Sequence, residues 1–303
     1  MSIRKRNLHS DLQNWVRQQG MGYLGFMSDG PISGTVGKTY YVNGNGGSDS
    51  DHGEAPDHPF DTLAKAIGIV NGRIDWAGSP WATHDIIVVY PGVYAENLTS
   101  LPYGATILCL GYDNRDAQLG VKVKPAAGAP VDVNSLINST ILNMGFESPD
   151  ATAAFDAAVC NNNFLINCWF SGAAESVTCA AAFTTTDMVR TKLLGCDITC
   201  AAKGIWFNYV DAGDSISHCV VDDTLIHQCT VGIEAETNLV GPSTVIRNSD
   251  LFSGGQTMST GVLDSAGILQ LSRLNITATD PVNGCRAANG CYGNGALLDS
   301  TGE

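Results

Sequence analysis

ILNMGF, residues 141–146, is one copy of a six-residue pattern that decides how this chain folds. The pattern returns as ILCLGY from Ile107, LINCWF from Leu165, LLGCDI from Leu193, IHQCTV from Ile226, IRNSDL from Ile246 and LSRLNI from Leu271. Its first place is always Ile or Leu. Its sixth is Tyr112, Phe146, Phe170, Ile198, Val231, Leu251 or Ile276, and the fifth is mostly small or polar. That is the alternation of a strand with one face buried. The fourth place holds Leu110, Met144, Cys168, Cys196, Cys229, Ser249 and Leu274, so places four and six are expected to point inward, with Cys168, Cys196 and Cys229 in one column. The third place includes Asn143, Asn167, Gln228 and Asn248 and reads as a corner. Asn tolerates the left-handed backbone of a tight bend, and its amide can bond to an Asn one coil above. Successive blocks lie 34, 24, 28, 33, 20 and 25 residues apart, the spacing of stacked coils in a parallel β-solenoid.

The composition agrees with such a fold. Charged residues make up 15% of the 303 positions and Gly contributes 34, which favours an all-β chain rich in turns. No run of 18 apolar residues occurs, so no membrane partner is expected. The formal net charge of −14 argues against nucleic acid as a partner, because phosphates need Lys and Arg to neutralise them. The charge is uneven. Arg4, Lys5, Arg6 and Arg17 against Asp11 give residues 1–20 a local +3 and leave −17 for the remainder. Ser10 and Gln13 have capping-box spacing, and Leu12, Trp15 and Val16 share one side of a short amphipathic helix that Gly20 would stop. Residues 1–37 thus read as an attachment arm and linker, 38–80 as a capping strand, loop and helix, 81–280 as the coil and 281–303 as a tail.

Within the capping segment, TYYVNGNGGSDSDHGEAPDHPFDTLAKAIGIV gives a strand at Tyr40 to Val42, a polar loop, and a helix from Asp61. Leu63, Ala66, Ile67 and Val70 form its buried side and Asp61 is its candidate N-cap. DIIVVYPGVYAENL then supplies a buried strand, a Pro91-Gly92 turn and a second short strand. The order YYVNGNGGSDS…PFDTLAKAI, IIVVYPGVYAEN, ILCLGY resembles the entrance of right-handed parallel β-helix proteins of the pectate-lyase-like superfamily, an opening also frequent in bacteriophage tail-spike, fibre and head-surface proteins. The resemblance implies a single-stranded right-handed parallel β-helix whose open end the helix caps. It also implies a homotrimeric virion protein, assembled in the host cytoplasm and displayed on the particle surface. On this reading residues 1–37 bind the major capsid protein or another virion protein, making the chain a non-enzymatic decoration or cement protein. A small tail spike or fibre that binds, and in some cases cleaves, host polysaccharide is the alternative.

Enzymes of that superfamily would place carboxylates, His and Arg on one exposed face. Asp222 and Asp223 with His227 four residues on form the best such cluster, since paired carboxylates serve as acid and base in glycoside hydrolysis. The chain lacks the Gly-His-Gly and Arg-x-Lys elements that accompany paired aspartates in polygalacturonases, so no catalytic residue is assigned. Glu234, Glu236, Asp197 and Asp250 read as outward surface acids. Asp49, Asp51 and Glu54 in the Gly-rich loop are candidate Ca²⁺ ligands, although the full EF-hand pattern is missing. No other cofactor is expected. Cys285 and Cys291 lie in the tail NGCRAANGCYGNG, where they either stay thiols or form a local or intersubunit disulfide. Trp76, Trp81 and the outward Trp169 are the aromatics that a sugar or a neighbouring subunit could use.

Overall fold

Strands such as IIVV at 86–89 and FLI at 164–166 carry apolar side chains in unbroken runs, the sequence habit of parallel strands in stacked layers. In the computed structural model they pair in that way. The structure describes residues 37–73, 84–111, 119–172, 179–241, 244–254 and 257–298. Among them lie a ten-stranded and a seventeen-stranded sheet, wound as the successive faces of one parallel β-solenoid. Every named strand pairing is parallel except the last, where Tyr292–Gly293 meets Ala296–Leu297 antiparallel and blunts that edge.

The first place of the repeat holds with one correction, while Leu110, expected to point inward, is only half-buried. In the ten-stranded sheet Ile107, Ile141, Leu165, Leu193, Val221, Ile246 and Leu271 stand in register. The fifth block therefore begins at Val221, as VDDTLI, and not at Ile226, which instead pairs with Ile198 and Leu251 in the other sheet. Cys168, Cys196, Thr224, Ser249, Leu274 and Cys291 each precede a residue bonded to the next coil and share the inward column. Cys229 is also fully buried, but it is registered with Ala201, and Ala201 with Cys179, in a different column. The coil continues past residue 280, because Ala287–Asn289 and Tyr292–Gly293 add strands to both sheets.

The corners are where the chain turns between sheets. Asn143, Asn167, Gly195, Asp223, Asn248 and Arg273 all have φ between 50° and 61°, the left-handed region that Asn, Asp and Gly enter at least cost. Asn167 Nδ2 donates to Asn143 Oδ1 at 2.6 Å, the expected amide ladder. A second left-handed corner, at Asn138, Asn162, Arg190 and His218, returns the chain to the ten-stranded sheet. Asn162 donates to Asn138 at 2.8 Å there. Beside it the fully buried Asn163 accepts from Ser139 N at 2.9 Å and donates to Leu136 O at 2.7 Å, so its amide joins two coils.

The core is a run of apolar columns from Tyr40 to Cys291. At its centre Phe146 stacks on Phe170 at 5.4 Å and Phe155 on Phe183 at 5.3 Å, while edge contacts of 5.2 to 5.8 Å tie the two stacks together. The helix α1, Leu63–Gly72, lays Leu63, Ala66, Ile67 and Val70 over the entrance. Its N-cap is Thr62, whose hydroxyl accepts from Lys65 N, and not Asp61. Asp49 reaches across from the loop and takes the Asp61 and Thr62 amides, both at 3.0 Å, and Glu96 takes those of Leu63 and Ala64. Two carboxylates thus satisfy the first-turn donors and complement the helix dipole.

Candidate functional site

The structure separates the residues that the sequence groups together. Asp222 lies on Val220–Asp222 of the ten-stranded sheet and Asp223 forms the exposed corner, whereas His227 lies beyond that corner on Leu225–Ala235 of the other sheet. Asp222 accepts from Arg247 Nε at 2.9 Å and Nη2 at 2.8 Å, and from Asn248 Nδ2 at 2.7 Å. Partial burial works to raise its pKa, but the Arg247 and Asn248 hydrogen bonds with the Arg247 charge outweigh it and hold the carboxyl below its usual value. His227 Nε2 sits 3.1 Å from Asp197 Oδ1, and its ring stacks on Phe252 at 5.3 Å. The two aspartates and the histidine therefore form no common site.

The loop carboxylates diverge as well. Asp49 caps α1, Asp51 lies 4.0 Å from His58 Nδ1, and Glu54 pairs with Lys38. Among the described residues no group of three or more His, Cys, Asp or Glu side chains is placed to hold a metal ion. Cys291 is a fully buried thiol that donates to Asn289 O, and Cys285 is half-buried at the core edge. Trp169 is enclosed, at 9% exposure, with the Lys122 ammonium 4.6 Å from its ring centre. Lys122 and Lys124 both pair with the buried Glu147 beneath it. Residues 1–36, which include Arg4, Lys5, Arg6, Leu12, Trp15, Val16 and Arg17, lie outside the described residues, as do Trp76 and Trp81.

The better candidate surface is one that the block pattern does not reveal. On the limb of the seventeen-stranded sheet that leads into the second corner, the register runs Asp132, Asp156, Thr184, Trp206, Glu234 on successive coils. Parallel pairing sets neighbours about 4.8 Å apart, so side chains from strands distant in sequence form one outward row. Asp132 is exposed and Asp156 half-buried. Burial, and then the Asp132 charge, raises the Asp156 carboxyl above its usual value. Further along, Lys203 Nζ lies 3.6 Å from the Trp206 ring centre and 2.9 Å from Glu234 Oε1. Trp206 Nε1 donates to Glu236 Oε1 at 2.9 Å. The row can offer hydroxyl-binding carboxylates, one of them with a raised pKa, beside an indole with one face taken by Lys203. The signal available in the sequence was the match of FDAAV with VDVNS and of IWF with IEA, which only the register makes visible.

Neither a protein-family model nor a curated protein matches this chain. Among solved structures, it is similar to pectin methylesterase PemA from Erwinia chrysanthemi, at 12% identity with a TM-score of 0.50, over 87% of this chain and 92% of that one. It is also similar to the pectate lyase Pel9A, at 14% identity with a TM-score of 0.48, over 81% of this chain and 71% of that one. The class that fold and register define is the parallel β-helix. At these identities the likeness extends to the fold and not to chemistry.

Proposed function

We propose that this chain is a non-enzymatic structural protein of a bacteriophage particle, a capsid decoration or cement protein attached through its N-terminal arm. The observation that carries the reading is the opposition of charge within one chain. Residues 1–20 hold +3 against −17 for the rest, and residues 37–303 form a unit of their own whose described core begins at Tyr40. A basic, amphipathic arm on an acidic, rigid body suits attachment by one part and display by the other. Opposite charge speeds encounter with a partner, and an apolar stripe slows release. Of the carboxylates named in the sequence, Asp49 caps a helix, and Glu54, Asp222 and Glu234 pair with Lys38, Arg247 and Lys203.

The test is attachment to particles lacking this protein. The full chain should decorate them and the chain 37–303 should not, while keeping its β-sheet circular dichroism. Decoration at normal occupancy by the truncated chain would refute the arm as the anchor.

The row Asp132, Asp156, Thr184, Trp206, Glu234 favours a second reading, a small tail spike or fibre that binds host polysaccharide. Binding of capsular polysaccharide by the purified chain, lost in Trp206→Ala, would promote it. Release of reducing ends, lost in Asp156→Asn, would add cleavage.

A further inference from the structure

Trp169 carries a hydrogen-bond donor with no acceptor among the described residues: the residue is 9% exposed, and its indole Nε1 is buried and unpartnered. A buried N–H left open is costly, and in a native fold it marks a bound water or ion. The charges beside it do not balance either. Trp169 stands in register with Gly145, and Gly145 with Lys122, on the limb of the seventeen-stranded sheet that follows the first corner. Because Gly145 has no side chain, the Lys122 chain crosses that coil and brings its ammonium to 4.6 Å from the indole ring centre. Lys122 Nζ also lies 2.8 Å from Glu147 Oε2, and Lys124 Nζ lies 2.5 Å from Glu147 Oε1. One carboxylate thus serves two ammoniums. The Lys122 and Glu147 side chains are 12% and 6% exposed, whereas that of Lys124 is 43% exposed and opens the cluster to solvent. Asp197, in register with Trp169 on the next coil, lies 3.1 Å from His227 Nε2. Among the described residues Glu147 is the only carboxylate paired with either lysine. An excess positive charge with little access to water calls for a counter-ion.

We propose that Lys122, Lys124 and Trp169 form a binding site for a small oxyanion, a carboxylate or a phosphate group, held beside Glu147. The chemistry of the cluster selects that class. A water would give the indole its acceptor but would leave the second ammonium unbalanced, and a metal cation would meet two positive charges. The ligand must offer at least two acceptor oxygens, since each ammonium keeps hydrogens beyond its bond to Glu147 and the indole adds its own. Bonds from ammoniums to an anion are charge-assisted, and so are among the stronger ones. The chain as a whole stands at −14, so diffuse attraction of anions would not imitate a site. The site belongs to the body alone, and its existence does not depend on where the chain sits on a particle.

Titration of the full chain with sodium phosphate and, separately, with sodium acetate tests this against sodium chloride at matched ionic strength. The readout is the indole N–H resonances of the five tryptophans, with Trp169→Phe identifying the one from Trp169. That resonance should shift and saturate with at least one of the two oxyanions and not with chloride. The tighter of the two probes tells a phosphate ligand from a carboxylate. Lys124→Met, at the exposed rim, should keep the circular dichroism spectrum and weaken binding by about tenfold or more, the loss of one hydrogen bond to a charged group. Lys122→Met should do the same, and if it fails to fold the Lys124 variant decides. A Trp169 resonance indifferent to both oxyanions, or one that follows chloride equally, would overturn the site. So would oxyanion binding unchanged in Lys124→Met, or an indole proton in contact with water under every salt condition.

Discussion

Replacing Phe170 by Ala removes the ring at the junction of the two aromatic stacks. Phe170 is fully buried, stacks on Phe146 at 5.4 Å, and meets Phe155 at 5.6 Å and Phe183 at 5.8 Å edge-on. Truncating a buried Phe costs about 3–5 kcal/mol through lost transfer energy and the cavity left behind. Aromatic pairs add about 0.5–1.5 kcal/mol each beyond their buried area. Three contacts therefore place this site at the top of the range, and Phe155, which also has three, beside it. Phe146 and Phe183, with two contacts each, should fall below by about one pair, roughly 1 kcal/mol. The assay is urea denaturation followed by far-UV circular dichroism, with a stepped transition taken as local loss of coils, because solenoid stability is a sum over neighbours. A Phe170→Ala cost below about 1 kcal/mol, or one smaller than that of Phe146→Ala, would refute the packing argument.

Other perturbations address separate parts of the structure. Burial pushes the Cys196 and Cys229 thiols up to about 12, so both should resist a disulfide reagent in the native protein and react once urea unfolds it. Asn163→Ala strips a buried amide from Ser139 N and Leu136 O and should cost about 2–3 kcal/mol in urea, more than Asn167→Ala at the exposed corner. Asp222 has a depressed folded pKa, so its contribution is present above the unfolded value and is lost as pH falls through the folded one. Arg247→Ala should raise the Asp222 midpoint in an NMR titration and shrink that acid-side loss. Asp156 has the opposite sign, since its folded pKa is raised. Ionising it costs the folded state as pH climbs through the unfolded value, and Asp156→Asn should flatten that decline.

Much of the fold was legible because the repeat uses Ile or Leu at its first place and a small or apolar residue at its fourth. The one misplaced block shows where that legibility stops. IHQCTV matches the pattern better than VDDTLI does, since the true copy places Asp223 at the corner and Thr224 in the inward column. The uneven intervals of 33 and 20 residues were the available signal, and starting from Val221 turns them into 28 and 25. Cys291 was read as tail because its coil is short and its strands span three and two residues. The Asp49 cap on α1 was hidden because Asp49 stands 12 positions before Asp61. The row from Asp132 to Glu234 left only the short matches of FDAAV with VDVNS and of IWF with IEA in the sequence, because its members come from five coils and meet only through register. The apolar outer side of strands such as IIVV and FLI was present in the sequence, but reading every strand as buried on one side alone concealed it.

The most direct test of the proposed function is an averaged image of phage particles purified from cells that make this protein. The account predicts solenoid density on the outside of the head, with residues 1–37 lying against the shell and the body projecting from it. Density for the solenoid at the tail tip, or a purified particle without the protein, would contradict it.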